Sequence, residues 1–150
     1  IIMKTLIVYT SIHHGNTEKI GKAMAEVLKA DMIKTEDMNV NILKDYDLIG
    51  FGSGVYGGKL HKTIVSFIEN MPNTSNKKAF VFSTSSLGKT KYNNSIEEKL
   101  KEKGFSIVGS FACKGFDTFG PFKLIGGLGK GRPNAEDIQN AKDFAKGLEK

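Results

Sequence analysis

The sequence predicts an α/β fold, a three-layer, doubly wound, five-stranded parallel sheet. Two observations carry that expectation. Apolar runs of strand length alternate with segments whose apolar residues recur at helical spacing, the pattern of a parallel sheet with helices on both faces. The first of these runs also passes through a short loop bearing hydroxyls and a glycine straight into a helix start, which is how chains build a phosphate site. At 150 residues the chain is expected to form one domain spanning 1–150, with a sizeable core and no need of covalent staples. It contains no internal repeat, low-complexity tract or interdomain linker.

Each element has its own signal. Thr5-Leu6-Ile7-Val8-Tyr9 reads as a buried strand, and Ile20, Ala23, Met24, Val27 and Leu28 then form one helical stripe. Ala30 to Ile33 reads as a short second strand. Lys34 to Asn41 is polar and weakly patterned, and Ile42 to Tyr46 reads as a turn or short helix. Asp47 to Ser53 is a third strand ending in glycines. Ile64, Phe67, Ile68 and Met71 mark a helix from about His61 that Pro72 stops. Lys78 to Ser83 is the fourth strand, Ile96 and Leu100 belong to a helix ending near Gly104, and Phe105 to Cys113 is the fifth strand. Asn134 is a fitting N-cap for a last helix with Glu136 and Asp137 in its first turn. That helix turns Ile138, Ala141, Ala145 and Leu148 inward.

Ligands of such sheets bind beyond the carboxyl ends of the strands, so the loops at 10–17, 53–60, 83–92 and 114–131 are where chemistry is expected. In the first, Thr10-Ser11-Ile12-His13-His14-Gly15-Asn16-Thr17, the helix start offers unpaired backbone N–H groups and partial positive charge. Ser11, Asn16 and Thr17 add side-chain donors, and Gly15 lets the backbone approach an anion closely. No Gly-Lys-Ser/Thr follows and no G-x-G-x-x-G is present, which narrows the ligand to one phosphate monoester. A plain helix-capping turn is the alternative. The second loop, Ser53-Gly54-Val55-Tyr56-Gly57-Gly58, sets one aromatic ring among glycines. It suits a flat ligand, or is a surface turn with Tyr56 on its rim. Cys113 at a strand end is either a small buried hydrophobe or a thiol with Lys114 as its one adjacent cation. The run from Lys114 to Gly131 holds six glycines together with Phe116, Phe119, Phe122, Leu124 and Ile125. It reads as a lid or docking surface, or as local packing against the sheet edge.

Composition describes an ordinary globular chain, 39% hydrophobic and 25% charged. No apolar run approaches the ~20 residues of a membrane span, so no stable membrane insertion is expected. A single cysteine suits a reducing cytoplasm. Met3 reads as the native start, with no leader pattern beside it and the origin of Ile1 and Ile2 left open. The net charge of +6 comes from lysines spread along the chain, with Arg132 the single arginine. That pattern does not suggest nucleic-acid binding, and points instead to protein partners with an acidic docking face. The oligomeric state is open.

The first loop resembles the phosphate loop of flavodoxins, Ser/Thr-x-Thr-Gly-x-Thr, with Gly15-Asn16-Thr17-Glu18 fitting its end. Anchored on Ser11 it is one residue longer, and His13 and His14 stand where hydroxyl residues are usual. The resemblance implies the strand order 2-1-3-4-5 and non-covalently bound FMN, with the phosphate held by Thr10, Ser11, His13, His14, Gly15, Asn16 and Thr17. It implies a stacking role for Tyr56, and a Gly57 peptide that turns to accept a hydrogen bond from the reduced flavin. Ser53, Gly54, Val55 and Gly58 complete that loop. It also implies that Ser83, Thr84, Ser85, Ser86 and Gly88 face the polar edge of the flavin ring. Lys89 either sits near that edge or is solvated. The implied function is one-electron transfer between protein partners. The stretch from Tyr56 to Lys62 also resembles flavodoxin-like protoporphyrinogen oxidases, so an FMN-dependent oxidase or an NAD(P)H:quinone reductase is the alternative. A binding module that kept the fold and lost the flavin is the third reading.

Overall fold

The computed structural model describes residues 3–12, 15–116 and 130–149. His13, His14 and most of the glycine-rich run after Lys114 therefore lie outside the described residues. Among the described residues there are six strands: β1 (Thr5–Thr10), β2 (Asp31–Lys34), β3 (Leu48–Tyr56), β4 (Lys59–Leu60), β5 (Lys77–Ser85) and β6 (Phe105–Lys114). Five of them pair in the order β2-β1-β3-β5-β6, all parallel, while β4 pairs only with β3 and runs antiparallel to it. Once the small β4 is set aside, this is the expected 2-1-3-4-5 path.

The alternation of side chains along each strand divides the core in two. Leu6 and Val8 of β1, Ile49 and Phe51 of β3 and Val81 of β5 face one way. They pack with Ile64 and Ile68 of α2 (Lys62–Glu69) and with Ile96 and Leu100 of α3 (Asn94–Glu102). Ile7, Tyr9, Phe80 and Phe82 face the other way. They pack with Ile20 and Met24 of α1 (Asn16–Leu28) and with Ala141 and Ala145 of α4 (Ala135–Leu148). The stripes read from the sequence for the first and last helices are thus the buried ones. Asn134 caps α4 as expected, its side chain accepting from the Asp137 amide while the Asp137 carboxylate accepts from the Asn134 amide.

Two differences from the sequence expectation, at the start of the second strand and the end of the third, have local causes. The second strand starts at Asp31 rather than Ala30, because Lys29 takes a left-handed conformation (φ 52°) and the Ala30 amide donates back to the Ala25 carbonyl. Between β2 and β3 the chain forms 3₁₀ turns at Thr35–Asp37 and Val40–Asp45, the second agreeing with the turn or short helix read over Ile42 to Tyr46, with Leu43 and Tyr46 closing the core beneath them. The third strand runs past Ser53 to Tyr56 and folds back through Gly57 (φ 60°) and Gly58 (φ 81°) into β4. Two consecutive positive φ values make the tight turn whose twist matches a hairpin.

The glycines of β3 are explained by their neighbours. A Cβ on Gly50 would meet the Phe80 ring at 2.3 Å, and one on Gly52 would meet the Phe82 ring at 2.1 Å. Gly50 pairs with Phe80 and Gly52 with Phe82 across the parallel ladder. Each phenyl ring therefore lies over the adjacent strand, where the missing side chain leaves room.

Candidate functional site

The carboxyl ends of β1, β3, β5 and β6 converge on a small cavity lined by Asn16, Thr17, Gly54, Tyr56, Thr84 and Gly115, among others. Parallel pairing brings this about, because it stacks the strand-end loops on one edge of the sheet. At the start of α1, Gly15 is left-handed (φ 65°) with open space where a Cβ would stand. The first-turn amides that follow have no acceptor within the helix. The Ser11 hydroxyl accepts from the Glu18 amide at 3.2 Å and keeps its own proton for another acceptor. Thr17 and Thr84, both buried, share a hydrogen bond of 2.9 Å between their hydroxyls, so one proton of the pair remains to be donated.

Asn16 is anchored by its amide nitrogen, which donates to the Phe116 carbonyl at 2.8 Å. Its Oδ1 is buried and has no hydrogen-bond partner among the described residues, and the same holds for the Ser83 hydroxyl. Leaving a buried polar atom unpaired costs about 1–3 kcal/mol, and Asn16, which lines the cavity, is thereby positioned for a partner there, whereas Ser83 is fully buried and is not among the lining residues. Gly115 is required here: a Cβ at that position would fall 2.6 Å from the Asn16 amide nitrogen.

Not every expected residue faces the cavity. Thr35 donates to the Glu36 carboxylate, so in its 2.7 Å contact with Thr10 the Thr10 hydroxyl is the donor, directed toward the turn that follows β2. Ser53 is fully buried, donating to the Gly54 carbonyl and accepting from the His61 amide, and so ties the end of β3 to the start of α2. His61 caps α2 by accepting the Thr63 amide at Nδ1. Its ring stands edge-on to Tyr56, with centroids 5.3 Å apart. Tyr56 is half-buried and leans back over Gly54, where a Cβ would be 2.9 Å from its hydroxyl. Val55 also lines the cavity, while Gly57 and Gly58 are exposed at the hairpin tip.

In the third loop, Ser85 accepts the Gly88 amide at its hydroxyl and the Gly115 amide at its carbonyl, closing a tight turn. Gly88 is left-handed (φ 64°) and abuts the Lys114 backbone. Ser86 is half-buried and Lys89 exposed.

Electrostatics separate the reactive candidates from the inert ones. Burial and the Glu18 carboxylate push the Tyr9 phenol up to about 12, so it stays protonated and donates to Glu18 at 3.1 Å. Cys113 is buried, and burial pushes its thiol up to about 12. Of the two readings of that cysteine, the buried hydrophobe is the one the structure bears out. Among the described residues no cluster of His, Cys, Asp and Glu could hold a metal ion. No described helix is long and apolar enough to cross a membrane.

Sequence reasoning missed Thr35, and it placed Gly115 and Phe116 only within the glycine-rich strand-end loop, without a role for either. The close approach at Gly115 is that of the Asn16 side chain, which nothing in the local sequence signals.

A parallel sheet in this order with an anion-competent helix start at its carboxyl edge defines the class of flavodoxin-like proteins. Residues 6–115 match the family model described as "Flavodoxin domain", and the chain belongs to the flavodoxin family. It is 51% identical over 148 residues to an uncharacterized protein of Methanocaldococcus jannaschii, covering 97% of this chain and 98% of that one. Flavodoxin 2 of Bacillus cereus superposes with a TM-score of 0.73 at 25% identity, covering 97% of each chain. A flavodoxin from the domain Archaea superposes with the same TM-score at 19% identity, covering 99% of this chain and all of that one.

Proposed function

We propose that the chain is a single-domain electron carrier that holds FMN non-covalently at the strand-end cavity and exchanges electrons with protein partners bearing an acidic face. The observation that carries this reading is the unpaired, buried Oδ1 of Asn16 beside the start of α1. The residues present suit the cofactor. A ribityl hydroxyl has the proton that Asn16 Oδ1 lacks. A phosphate needs donors only, and the first-turn amides of α1 with Ser11 and the Thr17–Thr84 pair supply them. Gly15 leaves room for the anion, with His13 and His14 completing the loop. Gly54, Val55, Tyr56, Gly57 and Gly58 on one side and Ser85, Ser86 and Gly88 on the other would flank the ring. Thr10 and Ser53 act behind them by fixing the loops, with Ser83 fully buried in β5. When bound, FMN supplies the redox chemistry, and this chain orients it and limits its contact with water. The single buried cysteine and the lysine-rich surface suit a protein of the reducing cytoplasm.

The test compares FMN with riboflavin, which lacks only the phosphate. Charge-assisted hydrogen bonds to the phosphate should make FMN at least about a hundredfold tighter. Equal affinities would overturn the assignment of the first loop.

A further inference from the structure

A second concavity lies beyond the strand-end cavity and is much larger, a groove of about 1010 Å³ between α2 and the segment formed by the Thr90–Asn93 turn and α3. Ile12 and Tyr56 border both spaces, so the groove opens beside the strand ends. From there it follows α2 from Lys62 to Glu69, a rise of about 10 Å at 1.5 Å per residue. Its size is at the upper end of the range that takes drug-sized organic molecules, about 300–1,000 Å³.

The lining has two kinds of surface. Leu60 and Ile96 are buried at the base, with Val65 and the Tyr92 ring half-buried beside them. Lys59, Lys62, Lys91 and Lys99 border the same space, against one carboxylate, Glu69. Among the described residues none of these four lysines is in an ion pair, and Lys91 lies 5.5 Å over the Tyr92 ring. Lys62 is also the first residue of α2, where the helix already carries partial positive charge. Four like charges gathered around an apolar floor repel one another, and an anion between them relieves that repulsion.

We infer that the groove between α2 and α3 is a binding site for a small organic anion with a flat apolar body and at least two carboxylate or phosphate groups. The body lies on Leu60, Val65, Tyr92 and Ile96, and the anionic groups face Lys62 and Lys91 near the mouth and Lys99 farther along. The concave shape and the apolar floor between two helices favour a small molecule over a protein surface, which would meet a flatter face. The site adjoins the strand-end cavity at Ile12 and Tyr56, while its apolar floor and its four lysines lie outside that cavity.

Fluorescein, a flat aromatic dianion at neutral pH, serves as the probe, read by fluorescence anisotropy and by amide chemical shifts of the isotope-labelled protein. The expected result is saturable one-to-one binding with shifts confined to residues 58–69 and 91–99. Added FMN leaves that binding in place, and a neutral coumarin does not reproduce it. Lys62→Glu with Lys91→Glu, one on each wall and both exposed, should weaken it about tenfold. Ser66→Trp, also exposed, should block it by filling the groove. Shifts elsewhere, equal affinity in both variants, or displacement by FMN would overturn the inference. Saturable binding of a polyglutamate peptide without any of fluorescein would overturn it in favour of a protein-docking face.

Discussion

The hydroxyl pair of Thr17 and Thr84 joins the first turn of α1 to the end of β5, two segments 67 residues apart in sequence. Replacing either with valine keeps the shape and exchanges the hydroxyl for a methyl. Each single change removes a hydrogen bond worth about 1 kcal/mol and strands the other hydroxyl in a site 2–4% exposed, a further 1 kcal/mol or so. Thr17→Val and Thr84→Val are therefore each expected to lose about 2 kcal/mol in urea denaturation followed by circular dichroism. The double variant strands nothing, so its loss should be only about 1 kcal/mol against the ~4 kcal/mol sum, a coupling of about 3 kcal/mol. FMN affinity should behave differently, because the proposed phosphate contact needs a hydroxyl proton that the double variant lacks. Stability should then recover in the double variant while affinity does not. Additive stability losses would refute the pairing, and full FMN affinity in the double variant would refute its role at the phosphate.

Three further outcomes follow from the same geometry. Gly52→Ala drives a methyl into the fully buried Phe82 ring and should destabilise the fold by about 3 kcal/mol, read as a lower urea midpoint; a midpoint unchanged from the parent would mean the ring can move aside. Tyr56→Ala should weaken FMN binding roughly tenfold through the loss of one aromatic face, and titration with FMN would detect it; unchanged affinity would remove Tyr56 from the site. The Arg132 guanidinium holds the Asp137 carboxyl below its ordinary range. A depressed folded-state pKa gives stabilisation that is complete above the unfolded value, about 3.9, and is lost as pH falls through the folded one. Asp137→Asn should therefore melt at a lower temperature than the parent at neutral pH, and the difference should close on acidification below that value. A constant difference across pH would contradict the ion-pair account.

The strands, the order of elements and the capping of α4 were legible because each rests on local chemistry: apolar runs for β1, β3 and β5, periodicity for α1, and Asn134 three residues before Asp137 for α4. What was illegible depends on distant partners. The glycines at 50 and 52 read as a strand ending, yet they exist for Phe80 and Phe82, thirty residues on. Ser53 and Thr10 looked like ligand groups by position, and their hydrogen bonds to Gly54, His61 and Thr35 are set by how β2 and α2 dock. The groove beside α2 gathers one lysine and one apolar residue from each of β4, α2, the Thr90–Asn93 turn and α3, and no pattern stands out in any one segment.

The measurement that tests the central claim most directly is a visible-absorbance titration of the purified chain with FMN, followed by stepwise reduction with dithionite. The account predicts one FMN bound per chain and a distinct absorbance stage between the oxidised and fully reduced spectra, as one-electron exchange requires. A chain that binds no FMN would contradict it.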